Sequence, residues 1–89
     1  MAGFFTDLST NSAAMQAYGN HQGNSGVTAY TIGRSHIDVR FASGHVYRYT
    51  YASAGKENIE HMKLLAREGA GLSTFISTEV KYDYAARIK

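Results

Sequence analysis

The chain of 89 residues contains no cysteine, no proline and no tryptophan. Without cysteine there is neither a disulfide framework nor a thiolate nucleophile, and the four scattered histidines match no Cys/His zinc spacing. A reducing cytoplasm is the expected compartment. With no proline in the chain, its turns are read from glycine. No apolar run approaches bilayer length. Residues 1–18 lack the basic start, long apolar stretch and small-residue cleavage site of a secretory signal. The expectation is therefore a chain that is neither secreted by that route nor membrane-spanning. A strong charge of one sign is missing too: the formal net charge is +2, far below that of a dedicated electrostatic binder, which permits a nucleic-acid partner without naming one.

Catalytic patterns are equally scarce. The serines and histidines form no nucleophile motif, and Asp7 lies in a polar N-terminal stretch. Glu57 and Glu60 share a helical segment with Lys56 and Lys63 and read as helix-surface charge, with His61 as a boundary residue. Gly69-Ala70-Gly71 lacks the flanks of a dinucleotide or phosphate loop and is expected to end one helix and start the next. The expectation is a protein that is not an enzyme and uses no cofactor or metal.

Two regions differ in composition. Residues 1–26 are rich in Ser, Asn, Gly, Ala and Gln, and GNHQGNSG at 19–26 reads as a linker, so this segment is expected to be a flexible tail in which only Phe4, Phe5 and Leu8 offer apolar anchors. Residues 27–89 are expected to be the folded unit. Val27 to Ile32 is rich in β-formers and is followed by Gly33-Arg34, the composition of a two-residue hairpin turn, which sets Tyr30 opposite Ile37.

The next hairpin has two candidate loops. A three-residue loop Ala42-Ser43-Gly44, with the glycine left-handed, pairs Val39 with Tyr47 and Ile37 with Tyr49; a two-residue loop Ser43-Gly44 mixes apolar and charged faces. The three-residue loop is therefore expected. It places Tyr30, Ile32, Ile37, Val39, Phe41, Tyr47, Tyr49 and Tyr51 on one face of a three-stranded antiparallel meander. His36, Asp38, Arg40, Val46, Arg48 and Thr50 fall on the other. Asp38 faces Arg48, and an exposed cross-strand pair of that kind contributes about 0.2–1 kcal/mol.

A sheet with one apolar face needs a cover. Ser53 is placed to cap a helix in which Ile59, Met62, Leu65 and Ala66 recur at helical spacing and which ends at Gly69. The segment 72–86 is ambiguous. Leu72, Phe75, Ile76, Val80 and Tyr84 form a helical stripe, yet Ile76, Thr78, Val80, Tyr82 and Tyr84 also alternate as in a strand. Periodicity alone slightly prefers the strand, whereas the Ala-rich end suits a helix, which is the expectation. The expected fold is α+β: a three-stranded antiparallel meander with two C-terminal helices packed on one face.

The order Val27-x-x-Tyr30, Ile37-x-Val39-x-Phe41-x-x-Gly44-x-x-Tyr47-x-Tyr49, Ala66-x-x-Gly69 and Phe75-Ile76-x-x-x-Val80-x-x-x-Tyr84 resembles the KTSC family. That family is named after a domain at the C-terminus of some lysyl-tRNA synthetases and also occurs as stand-alone small bacterial proteins. The resemblance spans roughly residues 27–84, with Gly44, Tyr47 and Tyr49 as its motif residues, and it favours the helix over the strand for the last segment. The synthetase context implies RNA as a partner, with no activity attached.

For a partner surface, the tyrosines at 47, 49 and 51 have the flat rings of a base-stacking platform, but they share a face with Ile37, Val39 and Phe41 and so read as core. Arg34, Arg40 and Arg48 are the candidate nucleic-acid residues, since guanidinium groups outside the core can hold successive phosphates. A merely solvated sheet face has the same composition, and Asp38 in its middle repels phosphate. The expected function is a small accessory module that binds RNA; the alternative is a protein-interaction module, a homodimer through free sheet edges included.

The register is testable on its own. Val39→Asp is expected to leave the chain unfolded by circular dichroism, whereas Arg40→Asp folds. Equal tolerance of the two would place the wrong face in the core.

Overall fold

The computed structural model describes residues 15–21, 23 and 25–89; residues 1–14, which include Phe4, Phe5 and Leu8, lie outside them. The elements run β1 (Gln16–Ala17), β2 (Val27–Ile32), β3 (His36–Phe41), β4 (Val46–Thr50), α1 (Tyr51–Ala54), α2 (Lys56–Glu68), α3 (Leu72–Phe75), a π-helical turn (Ile76–Val80) and β5 (Ala86–Arg87). The fold is α+β, and the strands form one antiparallel sheet in the order β1-β2-β3-β4-β5. The expected meander is its centre. Two strands of two residues each extend it, both too short to show a period in sequence.

The β3–β4 hairpin has the expected register: Val39 pairs with Tyr47, Ile37 with Tyr49 and Asp38 with Arg48. Gly44 makes this possible, because its φ of 96° is a conformation L side chains rarely adopt. The β2–β3 hairpin differs from expectation by two residues, with Ile32 opposite Ile37 and Tyr30 opposite Val39. Its turn is Arg34-Ser35, since Gly33 N–H donates to the His36 carbonyl at 2.9 Å. Gly33 is required by proximity: a Cβ there would overlap the His36 ring. A shift of two leaves every side chain on its expected face.

The helices lie on the apolar face. Ile37, Val39 and Tyr49 of the sheet join Ile59, Met62 and Ala66 of α2 and Leu72, Ile76 and Val80 of the last helical segment in one buried cluster. Full burial of a side chain of this size contributes about 1.5–3 kcal/mol. Helical entry differs from expectation: Thr50, not Ser53, is the first cap, and Ser53 completes a capping box around α1 before Gly55 separates α1 from α2. Gly69 ends α2 in a left-handed conformation, and Gly71 starts α3. The last segment is helical as expected, but only to Val80. Ser77 and Thr78 hydroxyls both donate to the Thr74 carbonyl, at 3.1 and 2.9 Å, where a regular turn would receive only a backbone N–H. The wider turn keeps Val80 in the core with Ile76.

Lys63 corrects the reading of α2 as a helix with ordinary surface charge. It is only 5% exposed. Its ammonium donates to the Arg34 carbonyl and to Glu60 Oε2, both at 2.8 Å, and lies 5.5 Å from the Tyr51 ring centre. Glu60 also accepts from the Tyr51 hydroxyl at 2.5 Å. The hydrogen bond from Lys63, then that from Tyr51, holds the Glu60 carboxyl below its ordinary range, and the bond to Glu60 pushes the Tyr51 hydroxyl up. The cluster ties the β2–β3 turn to α2.

Ordered packing reaches into the segment expected to be a tail, with β1 at Gln16–Ala17 pairing with β2. Tyr18, inside the segment expected to be a tail, is 6% exposed and belongs to the core cluster. Its N–H donates to the Thr28 carbonyl at 3.0 Å, and its hydroxyl accepts from the Leu72 N–H at 3.1 Å, one of the donors a helix start leaves free. His21 N–H reaches the Gly69 carbonyl at 2.8 Å. A single aromatic ring among polar residues is a weak signal in sequence, and a core this small depends on it.

Two outcomes follow for stability. Tyr18→Phe, which loses only the bond to Leu72, is expected to cost about 1 kcal/mol, a fall of roughly 4–8 °C in Tm, whereas Tyr18→Ala costs roughly 3–5 kcal/mol in urea unfolding. Deleting residues 1–24 is therefore expected to unfold the domain. The second concerns alkali. Burial pushes the Tyr49 hydroxyl up to about 12 from its ordinary 10.0. A folded-state value above the unfolded one means that stability is full below pH 10 and is lost as pH rises through about 12. Tyr49→Phe is expected to flatten the fall of Tm across that interval.

Candidate ligand groove on the open sheet face

The face away from the helices carries alternate residues of β3 and β4, with Asp38 and Arg40 on one strand and Val46 and Arg48 on the other. A β-bulge adds β2 to it. Val27 pairs with Phe41, but Ala29 pairs with Arg40, so Thr28 is an extra residue between them. The bulge reverses the parity of β2. Val27 enters the core while Ala29, which plain alternation would put on the same side, turns to the open face and is 6% exposed. The small Ala29 and the buried Val46 floor a groove of about 720 Å³. Met15 and Ala17 line one end of it and Ile88 and Lys89 the other, with Asp38, Arg40 and Arg48 between.

Asp38 sits deep in this groove, 6% exposed, and accepts a fork from Arg48: Nε at 2.7 Å on Oδ1 and a terminal nitrogen at 3.0 Å on Oδ2. This is a paired, largely desolvated carboxylate rather than the exposed cross-strand pair expected from sequence. Hydrogen bonds to charged groups of this kind are worth about 1.5–3 kcal/mol, and loss of the arginine alone strands a buried charge. The bond to Asp38 raises the Arg48 guanidinium above its ordinary range, against a smaller opposing effect of burial. His36 Nε2 lies 3.9 Å from Asp38 Oδ2.

Arg40 is placed differently. Its Nε donates to Thr28 Oγ1 at 3.2 Å, and Thr28 Oγ1 donates in turn to the Arg40 carbonyl at 3.3 Å. Among the described residues Arg40 makes no ion pair, and it is exposed. The bulge residue thus aims the guanidinium while leaving its terminal nitrogens to solvent or a ligand.

Of the three arginines singled out from sequence, Arg40 and Arg48 line the groove together and Arg34 does not. Arg34 lies in the β2–β3 turn with its side chain exposed and its carbonyl held by Lys63. The motif residues divide too: Gly44 shapes the loop and lines the groove, Tyr49 is core and Tyr47 is half-buried behind it. The groove's ends were missed because Met15, Ala17, Ile88 and Lys89 sit on or beside two-residue strands. The one signal for its floor was a parity conflict, since Val27 and Tyr30 cannot share a face without an extra residue.

Among the described residues no group of three or more His, Cys, Asp or Glu side chains is placed to hold a metal ion. No helix among them is long and apolar enough to cross a membrane. No family model, curated protein or solved structure matches the chain.

Proposed function

We propose that this chain is a small non-catalytic module of the KTSC type that binds single-stranded RNA by its phosphate backbone along the groove of the open sheet face. The observation that carries this reading is Arg40: a guanidinium aimed by Thr28 Oγ1, in no ion pair among the described residues, in a groove that also holds Arg48 and Lys89. Arg40 and Arg48 are diagonal neighbours across β3 and β4. Such positions lie about 7–8 Å apart, and long side chains from both reach neighbouring anionic groups. Because the tyrosine row is turned to the core, the groove holds the backbone rather than reading bases, and affinity is tolerant of sequence. A cytoplasmic location is part of the same proposal.

Arg40 and Arg48 differ in what they can give. Arg48 spends two of its five N–H donors and much of its charge on Asp38, so it meets a phosphate with only the remaining three and Asp38 acts as an internal competitor for the ligand.

The test is fluorescence anisotropy of labelled single-stranded RNAs of unrelated sequence at low salt. Arg40→Ala is expected to weaken all of them alike and to reduce the slope of log affinity against log salt by about 0.7, the value for one phosphate contact on a single strand. Arg34→Ala leaves affinity unchanged, and Asp38→Asn raises it by releasing Arg48. Absence of binding by the wild-type protein at low salt would overturn the proposal in favour of the interaction-module reading, for which sedimentation would then show a second copy or another protein on this face.

A further inference from the structure

The chain leaves the helical layer through Lys81 to Ala85 and returns to the sheet as β5. Ala85 N–H donates to the Arg48 carbonyl at 2.7 Å, Ala86 pairs with Arg48 and Arg87 with Tyr47. This edge strand therefore serves both faces of the sheet. Ala86 is on the groove side with Arg48, and Arg87 is on the opposite side with Tyr47. Beside Arg87 an aromatic row reaches solvent. Tyr84 is 36% exposed and stands edge-on to Tyr47, with ring centres 4.6 Å apart, and to Tyr49 at 6.2 Å. Tyr82, two residues earlier, is 75% exposed, with the Lys81 ammonium 5.3 Å from its ring centre.

We infer that Tyr82 and Tyr84 form a nucleobase-stacking site at the β5 edge, where an RNA strand leaving the groove past Ile88 and Lys89 places its unpaired bases against tyrosine rings. The inference rests on the RNA reading of the groove and extends it from the phosphate chain to the bases. Continuity with the groove supports it, because β5 carries Ala86 on the groove side and Arg87 next to Tyr47. Chemistry supports it further. The Tyr84 ring, held edge-on by the buried Tyr49 and the half-buried Tyr47, loses little freedom when a base is laid on it, and every base has a π-face to offer. Lys81, Arg87 and Lys89 supply positive charge along the same segment. Asp83, exposed between the two tyrosines, disfavours phosphate at that point, so the strand presents bases there and sugar-phosphate to the arginines.

The experiment compares a labelled oligouridylate with an abasic sugar-phosphate oligomer of the same length and charge. The wild-type protein is expected to bind the oligouridylate more tightly. Tyr82→Ala and Tyr84→Leu should each weaken oligouridylate binding about tenfold and leave the abasic oligomer unaffected. Tyr84→Phe, which keeps the ring, retains the wild-type preference. Tyr82 is so exposed that its replacement tests the site even if Tyr84→Leu fails to fold. Equal wild-type affinity for the two oligomers, or equal losses on both in the variants, would overturn the stacking site while leaving the groove in place. Binding of neither oligomer by the wild-type protein overturns the groove reading and the stacking site with it.

Discussion

The left-handed backbone at Gly44 is the constraint on which the rest of this fold depends. It allows a three-residue connection between β3 and β4, and that length alone sorts Ile37, Val39, Tyr47 and Tyr49 to one side and Asp38, Arg40 and Arg48 to the other. A loop shorter by one residue would set Val39 against Arg48 and Ile37 against Thr50, mixing a charge and a hydroxyl into the core face. Because the core is small, it has no redundancy with which to absorb such an error. The helices can cover the sheet only after this sorting, since Ile59, Met62, Leu72 and Val80 share one buried cluster with Ile37, Val39 and Tyr49.

The bulge at Thr28 gives β2 a second use. Plain alternation from Tyr30 and Ile32 would turn Thr28, not Val27, toward the helices. One extra residue places Val27 in the core and Ala29 in the groove floor, and its hydroxyl bonds to Arg40. Packing and site geometry therefore have a common origin. Bulges recur where a side chain must be re-aimed at the margin of a sheet, and here the re-aimed residue is a guanidinium.

What the sequence reveals divides along physical lines. The face of every residue from Tyr30 to Thr50 was legible, because the alternation is strict and a wrong register mixes charge with core. The β2–β3 partner was not, because a slip of two residues preserves the faces, so alternation does not separate the two turns. Helix α2 was legible from its stripe and its terminal glycine, whereas the burial of Lys63 was not: its two acceptors are a carbonyl in a distant turn and a carboxylate on its own helix. Tyr18 and the strands Gln16–Ala17 and Ala86–Arg87 were hidden for a different reason. Segments of two residues carry no period, and they form because a preformed sheet edge offers them unpaired backbone groups. Arg40 and Arg48 were correctly grouped by face, while Arg34 was grouped with them by proximity in sequence, which the turn does not preserve.

Asp38 offsets part of the positive charge of a groove that also carries Arg40, Arg48 and Lys89. A buried carboxylate needs hydrogen-bond partners, and Arg48 satisfies this one with two donors. The pair is close to neutral from outside, so long-range attraction to a polyanion is weak and the positive charge that acts at contact distance is localised at Arg40 and Lys89. A strongly basic face of the same size would take up any polyanion by field alone. On the proposed reading, affinity comes from a strand that lies over the floor made by Ala29 and Val46 and meets Arg40 where Thr28 holds it. On that reading the buried acid damps long-range attraction, and the position of Arg40 decides where along the groove a phosphate backbone is held.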